Sequence, residues 1–79
     1  MNHRLRLALE ILADAGERGS TDVSFFSRFT PELIDLVESG FATAEREVVR
    51  RRGRPLEIVR IRITDEGRSA IGQASLNWQ

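Results

Sequence analysis

An α+β fold is expected from this sequence: three helices, a two-stranded β-hairpin and one closing helix. Three observations lead there. Leu5, Ala8, Leu9, Leu12 and Ala15 recur at helical spacing near the start. Between Leu56 and Ile63 apolar and charged residues alternate, and side chains on a strand repeat with period two. Glycine and proline then punctuate the chain at Gly16, Gly19, Pro31, Gly40, Gly53 and Pro55, which divides it into short segments.

The first helix is expected from His3 to Ala15, ended by Gly16, with a loop Gly16-Glu17-Arg18-Gly19-Ser20 after it. Leu7 and Ile11 widen its apolar stripe, so either the hairpin covers them or a second subunit does. Ser20 or Thr21 can cap a short second helix with Asp22 in its first turn, and Val23, Phe25, Phe26 and Phe29 supply its apolar set. Thr30-Pro31-Glu32 is a helix start: a threonine cap, proline at the first helical position, and an acid at the positive end. Leu33, Ile34, Leu36 and Val37 are the expected buried face of that third helix, which Gly40 stops.

Phe41 to Ile63 reads as two strands around the turn Arg50-Arg51-Arg52-Gly53-Arg54-Pro55. Gly53 permits a positive φ and Pro55 fixes entry to the second strand. Alternation turns Val59, Ile61 and Ile63 toward a core. It leaves Arg60 and Arg62 to face water or a partner, or to pair with Glu45 and Glu47 across the hairpin. Thr64 can cap the closing helix with Asp65 and Glu66 behind it. Gly67, a costly residue inside a helical turn, implies close backbone packing, expected against the first helix. Ala70, Ile71, Ala74 and Trp78 continue that helix's inner stripe.

The 79 residues are expected to form one domain, 1–79, near the lower size limit for a chain without staples. Cysteine is absent, which excludes disulfides and thiolate metal sites, and marginal size makes a homodimer the expected state. Net charge is zero but segregated. From Glu10 to Glu45, eight acids stand against Arg18 and Arg28, a net −6. From Arg46 to Arg62, seven arginines stand against Glu47 and Glu57, a net +5. For nucleic-acid binding the patch matters more than the total. All twelve basic residues are arginine, the usage of a G+C-rich genome, and arginine is also the better bidentate partner for phosphate. The opening Met1-Asn2-His3-Arg4-Leu5-Arg6 lacks a signal-peptide pattern and no run approaches a membrane span, so a cytoplasmic, membrane-free protein is expected.

Two runs carry a family resemblance. Leu33-Ile34-Asp35-Leu36-Val37-Glu38-Ser39-Gly40-Phe41 resembles the end of the third helix in bacterial winged helix-turn-helix regulators. Ile63-Thr64-Asp65-Glu66-Gly67-Arg68-Ser69-Ala70-Ile71 is similar to the run that follows the wing in the same family. With the hairpin spacing, the likeness spans Leu5 to Ala74. It implies a winged helix, in which the hairpin is the wing and the third helix enters the major groove. The whole pattern also resembles a group of small α-proteobacterial proteins, a likeness that brings no function with it. Here the span from Ser20 to Gly40 is shorter than the family's two-helix unit, which implies a truncated or irregular second helix.

The chemistry then divides between two elements. The third helix carries Glu32, Asp35 and Glu38 three apart and no basic residue, a stripe suited to solvent rather than to a phosphate-lined groove. Ser27, Arg28 and Thr30 lie at the turn before it, where a DNA backbone is in reach. The hairpin clusters Arg50, Arg51, Arg52 and Arg54, which suits phosphate contact or minor-groove insertion better than the competing reading of an edge hairpin kept soluble by charge. The expected DNA-binding residues are therefore Arg50, Arg51, Arg52, Arg54, Arg28 and Thr30, acting on double-stranded DNA in a small transcriptional regulator. The competing expectation is a protein-interaction module that uses the acidic third helix. No enzyme is expected: the lone His3 is terminal and no cysteine nucleophile exists. Cofactor, metal and small-molecule motifs are not evident.

Overall fold

The structure, a computed structural model, describes residues 1–72. Its order is helix α1 (His3–Ala15), a 3₁₀ turn (Gly16–Arg18), α2 (Val23–Arg28), α3 (Thr30–Glu38), β1 (Ala42–Arg51), β2 (Arg54–Ile63) and α4 (Asp65–Ala70). This is an α+β arrangement of helices with one antiparallel hairpin. Ala74 and Trp78, expected on the closing helix, lie outside the described residues. Among the described residues no helix is long and apolar enough to cross a membrane.

The α1 helix starts where the Asn2 side chain accepts the Leu5 N–H (2.8 Å) and stops at Gly16, whose φ is +72°. Ala8, Leu9 and Leu12 on its inner face are fully buried. They meet Phe25 and Phe29 from the α2 segment, Leu33 and Leu36 from α3, Ala42, Ile61 and Ile63 from the hairpin base, and Ile71. Leu7 is half-buried against this core, whereas Ile11 remains 36% exposed.

Several expectations on α2 and α3 need correction. Asp22 itself caps α2, accepting from the Ser24 and Phe25 N–H groups, so neither Ser20 nor Thr21 does. Val23 is exposed. Thr30 does not cap α3: its hydroxyl donates to the Phe26 carbonyl (2.7 Å), and Phe29 holds the N-cap position. The reason is packing. Phe29 must be buried, so α2 runs into α3 through this single residue, which serves both helix ends. On α3 only Leu33 and Leu36 are buried; Ile34 is 52% exposed and Val37 is exposed too. Helical rotation places Glu32 on the inner side, beside Leu33 and Leu36, and leaves Ile34, Val37, Asp35 and Glu38 outward. The expected three-acid stripe is thus reduced to two outward acids, Asp35 and Glu38, which lie next to each other along one edge of the exposed pair Ile34 and Val37. Gly40 (φ +82°) then closes α3, with the Phe41 N–H donating to the Leu36 carbonyl and the Gly40 N–H to that of Val37.

In the hairpin Ala42 pairs with Ile63, Ala44 with Ile61, Glu45 with Arg60 and Arg51 with Arg54. Ile61 and Ile63 face the core as expected. Val59 lies on the same face but is 40% exposed, because the ladder has already run past the helices at that rung. The hairpin base is fastened on two sides. Ser20 and Ile61 exchange backbone hydrogen bonds (2.8 and 2.9 Å), adding a single antiparallel bridge at the edge of β2. Thr64 caps α4 by accepting the Gly67 N–H (3.0 Å), while its own hydroxyl donates to the Gly40 carbonyl (2.7 Å). Gly67 does sit where a side chain would not fit, but the close neighbours are the Phe41 carbonyl and the Ile63 side chain at the hairpin base, not α1 as expected.

Candidate nucleic-acid interface

Arginines on the hairpin fall into two classes by their partners. Near the base, the Arg60 guanidinium donates to both oxygens of Glu47 (2.7 and 3.2 Å) and to the Arg18 carbonyl (2.9 Å). Arg62 pairs with Glu45 (2.5 Å), and Arg46 stands 3.8 Å from Glu57. These pairs run diagonally across the ladder, since Glu45 is directly opposite Arg60 and Thr43 opposite Arg62. The hydrogen bond from Arg60 holds the Glu47 carboxyl below the usual glutamate range against the opposing effect of its partial burial, and the same bond raises Arg60. The pairing alternative read from the sequence is the one the chain adopts.

Toward the tip the pattern changes. Arg50, Arg51, Arg52 and Arg54 have no carboxylate partner among the described residues. The register splits them. Arg51 and Arg54 are directly opposite each other on one face, a like-charge pair that costs stability in the absence of an anion. Arg50 lies on the other face opposite Pro55, and its guanidinium donates to the Gly53 carbonyl (3.0 Å), so it holds the turn. Arg52 and Gly53 form the two-residue loop, with φ of +54° and +77°. Two positive φ values match the tight hairpin turn whose twist fits the strands, and that turn prefers Asn-Gly. Arginine at its first position is strained.

The remaining expected site residues lie elsewhere. Arg28 is exposed on α2, without a carboxylate partner among the described residues, while its carbonyl accepts from Arg4 (2.6 Å). Thr30 has committed its hydroxyl proton to Phe26 and, in this arrangement, has none to give a phosphate.

Sequence reasoning missed the role of Arg4. Its Nε donates to Glu32 (2.9 Å) and its guanidinium lies 4.6 Å from the centre of the Phe29 ring. That hydrogen bond holds the Glu32 carboxyl below the usual range, against partial burial that raises it. The pairing joins residues 28 apart in sequence, so no local pattern signals it. An open cleft of about 390 Å³ lies beside α3, lined by Met1, Leu5, Asp35, Leu36, Ser39 and Phe41.

No protein-family model matches the chain, and no curated protein or solved structure matches it well enough to carry a fold or an activity across.

Proposed function

We propose that the chain is a small winged-helix DNA-binding protein, a regulator that occupies duplex DNA mainly through the arginine tip of its hairpin. One observation carries this reading: Arg60 and Arg62 at the base have close glutamate partners and Arg46 a looser one, whereas Arg51, Arg52 and Arg54 at the tip have none among the described residues. Charge placed only for solubility has no reason to be neutralised at one end of a ribbon and left bare at the other. The order of helices and hairpin is compatible with a winged helix. In that family the third helix enters the major groove, but here its outer face offers Ile34, Asp35, Val37 and Glu38, so the wing carries the contact. Binding of this kind is expected to be salt-sensitive and weakly selective, because phosphate contacts position a protein without specifying a sequence.

The test is fluorescence anisotropy on duplex DNA across a salt series. Arg50 is left intact, because it holds the turn. The triple variant R51A/R52A/R54A should weaken binding and flatten the dependence of log K on log salt by roughly 0.9 for each phosphate that is no longer neutralised. Unchanged affinity and slope would refute the proposal.

A second reading is favoured by α3 alone. An exposed apolar pair, Ile34 and Val37, with Asp35 and Glu38 along one edge suits a protein partner with apolar and basic groups. Reversing Asp35 and Glu38 should then abolish partner capture without weakening DNA binding.

A further inference from the structure

Two surfaces of this chain are unpartnered among the described residues, and they complement each other. The first is the outer face of α3: Ile34 and Val37 exposed side by side, with Asp35 and Glu38 next to each other along one edge of that pair, neither acid paired among the described residues. The second is the outer part of the hairpin. Leu56 is exposed on the face that carries Arg51 and Arg54, with Arg52 in the turn beside them, while Val48 and Val59 are exposed on the opposite face. One surface is apolar and acidic, the other apolar and basic.

A chain cannot satisfy this match within itself. From the last core-facing rung, Ala44 with Ile61, to the tip rung, Arg51 with Arg54, β1 runs seven residues, roughly 24 Å at about 3.4 Å per residue. Folding the tip back onto its own α3 would break that ladder. We propose that the occupant of the α3 face is the hairpin tip of a second copy of the chain, in a reciprocal two-fold dimer. Each copy presents one acidic face and one basic arm, so a two-fold axis uses both surfaces and closes the assembly. Exposed ion pairs contribute little each; the apolar pair Ile34 and Val37 against Leu56, on the face shared with Arg51 and Arg54, supplies the rest. Such a dimer is weak and salt-labile. The dimer and duplex DNA compete for the same three arginines, so the dimer is read without nucleic acid, by mass rather than by affinity for DNA.

The experiment is a charge swap followed by sedimentation velocity at low salt over a protein concentration series. One variant carries D35R/E38R, with helix and arm both basic; the other carries R51E/R52E/R54E, with both acidic. All five positions are exposed, and circular dichroism checks that each variant remains folded. Wild type should shift from monomer to twice its mass as concentration rises, and high salt should reverse the shift. Each variant alone should stay monomeric, because both of its interfaces are repulsive. Mixed one to one, the two variants should recover the dimer through the pairings in which opposite signs meet. A wild type that stays monomeric throughout the series means that the α3 face has a different occupant and overturns the proposal. Variants that dimerise alone as wild type does, or a mixture that stays monomeric, overturn it as well.

Discussion

Arg52 separates two explanations of the hairpin tip in a single substitution. It is the only non-glycine residue among those described with a positive φ (+54°), and a left-handed conformation costs an ordinary L-residue about 1–2 kcal/mol. Asparagine tolerates that region, and Asn-Gly is the preferred pair for this turn. The variant R52N should therefore stabilise the hairpin by about 1 kcal/mol, and removing one of four crowded positive charges acts in the same direction. For a domain of this size about 1 kcal/mol raises Tm by roughly 4–8 °C. Amide hydrogen exchange at the tip should slow in parallel, which shows that the gain resides in the turn. If Arg52 contacts phosphate, the same variant should bind duplex DNA more weakly, with a salt slope lower by about 0.9. Stability and binding then move in opposite directions, as they do where strain is retained for a contact. A stabilised variant with unchanged DNA affinity would reduce the arginine to a solubility device. Lower stability would show that the turn argument itself is wrong.

Other outcomes follow from packing and charge. Gly67→Ala, which normally gains about 1 kcal/mol in a helix, should lose about 1–2 kcal/mol net, because the new methyl group meets the Phe41 carbonyl and the Ile63 side chain; thermal denaturation against wild type reads the sign. Acid should destabilise the fold through Glu32 and Glu47. Both folded carboxyls lie below the ordinary value of 4.5, chiefly through hydrogen bonds from Arg4 and Arg60. The stability they contribute is complete above that value and is lost as pH falls through the lowered one. Tm measured from neutral pH downward should fall in that range, and less steeply for E32Q/E47Q.

What could be read from the sequence divides by the range of the interaction responsible. The α1 helix begins and ends where expected because its stripe and Gly16 are local signals. Thr64 caps α4 as read, and the truncated α2 matches the short span before Gly40. The arginine tip is assembled by sequence neighbours, so its existence was visible, but its division between faces required the register. Errors arose where a distant residue decides. The apolar arc Leu33-Ile34-Leu36-Val37 looked like one buried face, yet only half of it meets the core. Glu32 turns inward because Arg4, 28 residues earlier, is there to bond it. Thr30 has the composition of a cap, but burial of Phe29 leaves no room for the extended residue a cap requires.

The proposed role of the hairpin as a contact element depends on its base. A two-stranded ribbon is marginal by itself, and here its outer rungs leave Val48, Leu56 and Val59 exposed. It can hold four arginines at a distance only if the inner rungs cannot pivot. On the β2 edge, Gly19 lets the loop approach the Ile61 carbonyl and the Arg62 side chain more closely than any residue with a Cβ would allow, which permits the Ser20 bridge. Arg60 adds its bond to the Arg18 carbonyl from the same side. Where β1 begins, Gly67 makes the equivalent approach to the Phe41 carbonyl, and Thr64 ties Gly40 to α4. Both glycines fix the root of the hairpin rather than loosen it. The strand ladder therefore projects from a clamped end, and the charge without carboxylate partners among the described residues lies at the free one.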